Sequence, residues 1–162
     1  MKLTANDLIT AVLEGNSATK LIDSIGADRS NLLQAKFMSA VATQPLWTKL
    51  KSRLVTIGGD QVVIPNYEPD LKRILTRGTE FGGSSQVIKG KRSNCHGNVS
   101  DLYDADAVDS IVTGYALSSD GLWRQHTWGL KGGVVIETTE KRTKYYGVVL
   151  NSKEASDFAD RN

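Results

Sequence analysis

The residues best suited to chemistry lie in the last third of the chain. The single cysteine, Cys95, lies in the polar segment 93–98, whose sequence is SNCHGN. His126 follows 31 residues later in a strand-like run, and Glu137 ends the next strand-like run. A thiol, an imidazole and a carboxylate are the groups required for a thiolate nucleophile with an oriented general base. The sequence therefore predicts a catalytic triad of Cys95, His126 and Glu137.

The local sequence also predicts how the thiol would be activated. A free thiol has a pKa of about 8.5 and is mostly protonated at neutral pH. A helix N-terminus and a nearby imidazole both lower this pKa. Ser93 or Asn94 can cap a short helix that begins at Cys95. We expect His126 to supply the imidazole and Glu137 to hold its tautomer and stabilise the imidazolium.

The hairpin that carries His126 and Glu137 predicts that the two side chains share a face. If residues 131–132 form the two-residue loop, Glu137 lies directly opposite His126. If residues 132–133 form the loop, Glu137 lies opposite Trp128 and diagonal to His126, still within reach of a long side chain. Both registers place the imidazole and the carboxylate together, whereas a three-residue loop with a bulge would break this parity.

These pieces resemble the papain-like and transglutaminase-like superfamily of cysteine hydrolases. The matching segments are 94–96 (NCH), 126–128 (HTW) and 135–137 (VIE), and the resemblance covers roughly residues 85 to 150. It implies a papain-like helix packed on a sheet, and amide cleavage or exchange through an acyl-thioester. It also implies that Cys95 is the nucleophile, with His126 as base and then acid and Glu137 as orienting residue.

The resemblance further implies an oxyanion hole, made by the N–H group of the nucleophile and an upstream donor. Gln86 and Asn94 are the candidate donors, and His96 is a further one. His96 could also replace His126 as the base. However, adjacent residues on a helix diverge by about 100°, which favours His126.

Aromatic and basic residues surround the predicted triad in the sequence. We expect Trp123, Trp128 and Tyr115 to form the apolar wall of a substrate groove that shields the thiolate from water. Ordinary packing in the core is the alternative for all three. Arg124 and Arg142 are either ligands of a substrate carboxylate or solvated strand residues.

The elements that must position these residues differ between the two halves of the chain. Apolar residues recur at helical spacing in four stretches of the first half, up to Leu54. Residues 55–57 and 61–64 then flank a Gly-Gly-Asp turn and predict a hairpin, and a short helix follows Asp70. The glycine-rich and serine-rich stretch 79–85 reads as a loop.

The last third reads as a helix, an antiparallel meander and a final helix. The predicted strands are 110–117, 122–130, 134–139 and 144–150, and the final helix is 153–159. This order predicts an α+β fold. We therefore expect a mainly helical segment, 1–84, and a catalytic core, 85–162, or one compact domain that includes both.

Composition excludes several classes of protein. The chain of 162 residues is 40% hydrophobic, enough for one core. Its net charge is only +2, from 20 basic and 18 acidic residues, so it lacks the excess of positive charge typical of nucleic-acid-binding proteins. One cysteine excludes an internal disulfide and a multi-cysteine zinc site. No signal peptide or long apolar stretch is visible, so we expect a cytoplasmic protein without a membrane partner.

The leading hypothesis is a cofactor-free cysteine hydrolase or acyltransferase that acts on a peptide or protein amide. One alternative is a non-enzymatic binding module in which Cys95 merely packs. Another is a metal site formed by Cys95 and His96 together with His126 and Glu137, a mixed ligand set that suits Zn²⁺.

Overall fold

The computed structural model describes Thr10 and residues 44–65, 68–82 and 85–162. The helices are α1 (Pro45–Ile57), α2 (Leu71–Arg77), α3 (Cys95–Asp104) and α4 (Ser152–Arg161). The strands are β1 (Gln61–Val62), β2 (Thr79–Phe81), β3 (Ser85–Val87), β4 (Ser110–Leu117), β5 (Leu122–Lys131), β6 (Val134–Glu137) and β7 (Lys144–Val149). Apart from Thr10, the helices predicted within 1–43 lie outside the described residues.

The strands form one mixed sheet in the order β2-β7-β4-β5-β6-β3, and β1 pairs with the start of β5. The β1–β5 and β3–β6 pairs are parallel, and the other pairs are antiparallel. The predicted α+β class is confirmed. The predicted simple meander is wrong, because β3 occupies the second edge of β6 and β7 instead pairs with β4.

Helix α1 forms because its start and its apolar stripe agree. Pro45 occupies the first turn, where its missing N–H group is no loss, and the Gln44 side chain accepts a hydrogen bond of 2.9 Å from the Trp47 N–H. Trp47, Leu50 and Leu54 recur at helical spacing and are all buried. This helix was expected from the same stripe.

The hairpin predicted after this helix is wrong. Residues 55–57 are the last turn of α1, because the helical stripe continues through them to the terminating Gly58. Gly59 then turns the chain with a φ of 73°. The following strand β1 pairs in parallel with β5, with Val62 opposite Trp123.

The described part of the first 84 residues shares a core with the rest of the chain. Leu50 and Leu54 of α1 pack in one buried cluster with Ile111 of β4 and Phe158 of α4. Residues 79–81, the start of the stretch expected to be a loop, form strand β2, which pairs with β7. Among the described residues, α1, β4 and α4 therefore share one hydrophobic core.

The sheet has two differently covered faces. On one face, Tyr115 and Trp123 pack against the helices. On the other face, Trp128 packs with a smaller apolar cluster that includes Val112 and Tyr145. The second edge of β5 is shared by β1 at its start and β6 at its end, and α3 packs against this strand.

Within the described residues, no helix combines the length and apolarity needed to cross a bilayer.

Candidate active site

Cys95 is the first residue of α3, as the sequence predicts. Its amide belongs to the first turn, whose N–H groups have no intrahelical carbonyl partner. Its side chain is partly buried. Ser93, two residues earlier, has a φ of 54°, a conformation that non-glycine residues rarely adopt and that is concentrated at functional sites. The thiol is therefore held at a strained turn that leads into a helix N-terminus.

His126 and Glu137 meet in the interior of the sheet. Gly129 pairs with Ile136, so the hairpin adopts the second predicted register, with a loop at residues 132–133. Both loop glycines have positive φ angles, 55° and 78°, as a type I′ turn requires. His126 Nε2 lies 2.7 Å from Glu137 Oε1, and the two side chains are 4% and 0% exposed. The predicted contact is therefore present as a buried hydrogen-bonded pair.

An aromatic wall keeps water away from this pair. The Trp128 ring stacks on the His126 ring, with centroids 6.2 Å apart and an interplanar angle of 22°. Tyr145 packs on the other side of Trp128 at 5.0 Å. Because a low local dielectric strengthens a charged hydrogen bond, burial makes the imidazole–carboxylate contact stronger than it would be in water.

The ionisation of the thiol and the imidazole is coupled. Burial opposes ionisation of Cys95, but hydrogen bonds with His126 and His96 outweigh it and lower the pKa of the thiol to about 5. Burial likewise opposes protonation of His126, but hydrogen bonds with Cys95 and Glu137 raise the pKa of the imidazole to about 9. Between these values the pair is a thiolate and an imidazolium.

His96 also reaches the thiol, so the expected divergence of these two neighbours is wrong. Its Nδ1 lies 3.3 Å from Cys95 Sγ. The His96 ring stacks on Phe158 of α4, with centroids 5.4 Å apart and an interplanar angle of 18°. This stacking fixes the ring beside the sulfur. The sequence contains the signal, an adjacent Cys-His pair, but not the α4 contact that fixes the ring.

The two predicted oxyanion donors are placed differently. Gln86 is exposed on β3, where it pairs with Ile136 while Val87 pairs with Glu137. Because successive strand residues face opposite sides, Gln86 points away from the face that carries Glu137. Asn94 is exposed and directly precedes the nucleophile. The Asn94 side-chain amide lies beside Gly97 of α3. The structure thus keeps Asn94 next to the nucleophile in the chain and does not bring Gln86 to the site.

The three aromatic residues predicted to line a substrate groove are all 0% exposed. Tyr115 donates a hydrogen bond of 2.8 Å to the buried Glu68, and Trp123 Nε1 donates one of 2.7 Å to the carbonyl of Gly58. Trp128 stacks on His126. These side chains are core residues, and this placement corrects the predicted groove.

The groove at the thiol is polar instead. A cleft of about 720 Å³ is lined by Cys95 and His126 and by residues from 89–93, 124–125 and 139–142. We name it the thiol cleft. Its charged residues were visible in the sequence as a short basic run and two strand arginines. Sequence reasoning did not place the basic run here, because its position depends on the pairing of β3 with β6.

No group of three or more His, Cys, Asp or Glu side chains in the described part of the chain is arranged to hold a metal ion. The described residues therefore give no geometric support to the alternative of a metal site at Cys95 and the two histidines. The contacts described above are instead those of a hydrogen-bonded acid–base system.

The chain has one cysteine and two histidines, and all three converge at the start of α3. Comparison of the chain with protein-family models, curated proteins and solved structures finds no match. The functional argument therefore depends on the chemistry of these side chains.

Proposed function

We propose that this protein is a cysteine hydrolase or acyltransferase that acts on an amide carbonyl. The supporting observation is the convergence of a low-pKa thiol, Cys95, with the buried pair of His126 and Glu137. An inert structural cysteine needs none of these partners, since burial in apolar surroundings raises a thiol pKa.

The resting ion pair is suited to acyl transfer. The Cys95 thiolate attacks the carbonyl carbon and forms a tetrahedral oxyanion. The His126 imidazolium then gives its proton to the leaving amine as the C–N bond breaks, which leaves an acyl-thioester and a neutral imidazole. Water or a second amine attacks the thioester, His126 takes the proton from that nucleophile, and the thiolate leaves. Hydrolysis and transfer differ only in the second nucleophile.

Glu137 acts in this scheme as the orienting residue. Its contact with His126 Nε2 leaves Nδ1 as the ring nitrogen that can serve the thiol. Because Glu137 is 0% exposed, water does not screen its attraction for the imidazolium. The carboxylate therefore favours the protonated ring that the leaving amine requires.

The start of α3 offers stabilisation for the oxyanion. The Cys95 N–H group lies in the first turn, where no carbonyl of the helix accepts it. The positive end of the helix dipole lies at the same place. We assign this N–H group as one donor and the Asn94 side chain as a candidate second donor, the pattern of a preorganised oxyanion hole.

We extend the proposal to kinship with the papain-like and transglutaminase-like superfamily. It is supported by a nucleophile at a helix start, a strand histidine, an acidic residue on the next strand and a tryptophan stacked on the histidine. The chemistry requires Cys95 to stay reduced, which a reducing compartment such as the cytoplasm provides. A peptide or protein amide is the proposed substrate.

Alkylation of Cys95 tests the proposal directly, since the chain has no other thiol. We expect the rate of reaction with iodoacetamide to rise with an apparent pKa of about 5 in the native protein. His126→Gln removes a dominant partner and should move this pKa upward by at least 1 unit, an order-of-magnitude expectation for loss of a nearby cation. Mass spectrometry at successive pH values gives the profile.

His96→Gln is the matched control, because it changes the other imidazole beside the same sulfur. It should move the apparent pKa less than His126→Gln does, since His126 makes the larger contribution. A native thiol that titrates near 8.5 would refute the proposal. So would failure of the wild-type protein to form a thioester adduct with an activated peptide ester; Cys95→Ala, which has no thiol, is the blank for this assay.

A further inference from the structure

The thiol cleft is strongly basic for a chain of nearly balanced charge. Its described lining residues include four basic ones, Lys89, Arg92, Arg124 and Arg142, against one acidic residue, Glu140. The whole chain carries a net charge of only +2. Charge of one sign in a concave site concentrates the field there and attracts ligands of opposite charge.

Two of these cations are already engaged. Arg124 binds Asp120 through both carboxylate oxygens, at 3.0 and 2.8 Å. Arg142 donates to Ser118 Oγ at 2.7 Å and contacts Glu140 at 3.0 Å. Its Nε is buried and has no hydrogen-bond partner among the described residues. Both contacts are made by Nη1, so Arg142 is fixed in place while its guanidinium carries further N–H groups.

The other two cations, Lys89 and Arg92, are exposed and have no ion-pair partner within the described residues. They lie on the segment that leads to Cys95, on the rim of the thiol cleft. Surface cations of globular proteins often have acidic neighbours, and Glu140, the acid among the described lining residues, already contacts Arg142. Within the part of the chain that the structure describes, the positive charge of this rim is thus uncompensated.

The segment that carries these two cations is held from both sides. The N–H group of Gly90 donates to the carbonyl of Thr138 at 2.8 Å. The buried side chain of Asn98 on α3 accepts from the Lys91 N–H at 2.9 Å and donates to the Lys91 carbonyl at 2.7 Å. A Cβ atom on Gly90 would meet the Asn98 side chain at 2.4 Å, so the packing is close. A segment fixed in this way needs little ordering when a ligand binds.

We propose that the substrate carries carboxylate groups beside the amide that Cys95 attacks, and that Lys89, Arg92 and Arg142 bind them. This inference rests on the proposed function and adds the substrate class to it. Carboxylates fit guanidinium and ammonium donors because such charge-assisted hydrogen bonds are the strong ones. The carboxylates belong either to acidic side chains of a peptide or to a free C-terminus.

Two reagents that differ only in charge test the cleft. Iodoacetate and iodoacetamide place the same carbon on the single thiol, and the ratio of their rates reports the potential at Cys95. The neighbouring imidazolium already favours iodoacetate, so the change on mutation is the informative quantity. In Lys89→Glu/Arg92→Glu we expect the ratio to fall about tenfold at low ionic strength, as expected for two reversed charges within roughly 10 Å of the ligand.

Lys91→Glu is the matched control, because Lys91 is an exposed cation of the same segment that lines a different depression. It should change the ratio less than about twofold, because Lys91 does not line the thiol cleft and solvent screens its charge. Equal effects of Lys91→Glu and of the double variant would overturn the inference. If the native thiol retains its low pKa in that case, the proposed function survives; an unreactive native thiol at pH 6 overturns both.

Protection of Cys95 from iodoacetamide distinguishes the two sources of carboxylate. One peptide has internal glutamates and an amidated C-terminus, and another has glutamines and a free C-terminus. Protection by either peptide, lost in the double variant, supports the inference and identifies the source. Equal protection by a peptide with glutamines and an amidated C-terminus overturns it.

Discussion

Two buried glutamates lie on opposite faces of β5, held by adjacent residues of that strand. Gln125 Nε2 donates to Glu68 Oε2 at 3.0 Å, on the face that packs against the helices. His126 Nε2 lies 2.7 Å from Glu137 Oε1, on the face that leads to the thiol. Glu68 and Glu137 are only 3% and 0% exposed. The same strand thus buries two carboxyl groups with different partners.

The partners determine what each carboxyl group can do. Glu68 accepts hydrogen bonds from neutral donors, namely the Tyr115 hydroxyl at 2.8 Å, Gln125 at 3.0 Å and the Asp70 N–H at 3.2 Å. Burial outweighs them and raises the pKa of Glu68 to about 7. Glu137 has an imidazole as its partner, which can carry the compensating charge. A buried carboxylate with only neutral donors titrates near neutrality, whereas one paired with a histidine can support acid–base chemistry.

The two glutamates should differ most in the stability that is lost when the β5 residue in contact with each one is replaced by alanine. In His126→Ala, Glu137 loses its partner while buried, and we expect the free energy of unfolding at pH 7 to fall by about 3–5 kcal/mol. In Gln125→Ala, Glu68 keeps Tyr115 and the Asp70 N–H, so the loss should be about 1 kcal/mol. Urea unfolding of both variants measures the two losses.

The two substitutions are matched in strand and in neighbouring backbone, so β-propensity changes little between them. Losses of equal size would show that Glu137 is no more dependent on a charged partner than Glu68 is. That result would remove the electrostatic basis for the assigned role of Glu137.

The contact between His126 and Glu137 could be predicted from the sequence. Gly132 and Gly133 favour a two-residue loop, and both registers of such a loop place Glu137 on the face of His126. Alternation along a strand is a local property, so it is readable without any tertiary contact. The partner of Gln125 was not predictable, because Glu68 lies 57 residues away in an irregular segment.

Long-range pairing also explains the other differences between sequence and structure. The bounds of β4 and β5 were predicted to within a residue, since turns and alternation define them. The neighbour of β7 was not, because the choice between β4 and β6 depends on β3 taking the free edge of β6. Gln86 was misplaced for the same reason, as its face is set by that pairing.

The next largest difference between the two glutamates should appear in the pH dependence of stability. The pKa of Glu68 in the folded protein, about 7, is above its ordinary value of 4.5. The folded state thus holds the proton more tightly, and the associated stability is present below pH 4.5 and lost as pH rises through 7. In Glu68→Gln this loss is absent. Relative to wild type, the variant should gain up to about 3 kcal/mol between pH 4.5 and 7.5.

Glu80→Gln is the control for this measurement, because Glu80 is an exposed glutamate on β2. Its unfolding free energy should follow that of wild type across the same range within about 0.5 kcal/mol, as is usual for surface substitutions. If the unfolding free energy of Glu68→Gln also follows that of wild type, Glu68 titrates with its ordinary pKa. The two buried carboxyl groups would then not differ in ionisation.

The ionisation of Cys95 changes the stability of the fold with pH in the opposite direction to the ionisation of Glu68. The pKa of Cys95 is lowered to about 5, so its contribution is present above its ordinary pKa and lost as pH falls through 5. The pKa of His126 is raised to about 9, so its contribution is present below 6.5 and lost as pH rises through 9. Between 6.5 and 9 the two slopes cancel, and below 6.5 only the slope of the thiol remains.

Cys95→Ser therefore gives the smallest predicted change in unfolding free energy, over the narrowest range of pH. It keeps the size of the side chain but removes the group that ionises. The difference in unfolding free energy between wild type and this variant should shrink by about 1–2 kcal/mol as pH falls from 6.5 to 5. A constant difference across the whole range would mean that Cys95 and His126 ionise independently, and the face of β5 that carries Glu137 would then be as structural as the face that carries Glu68.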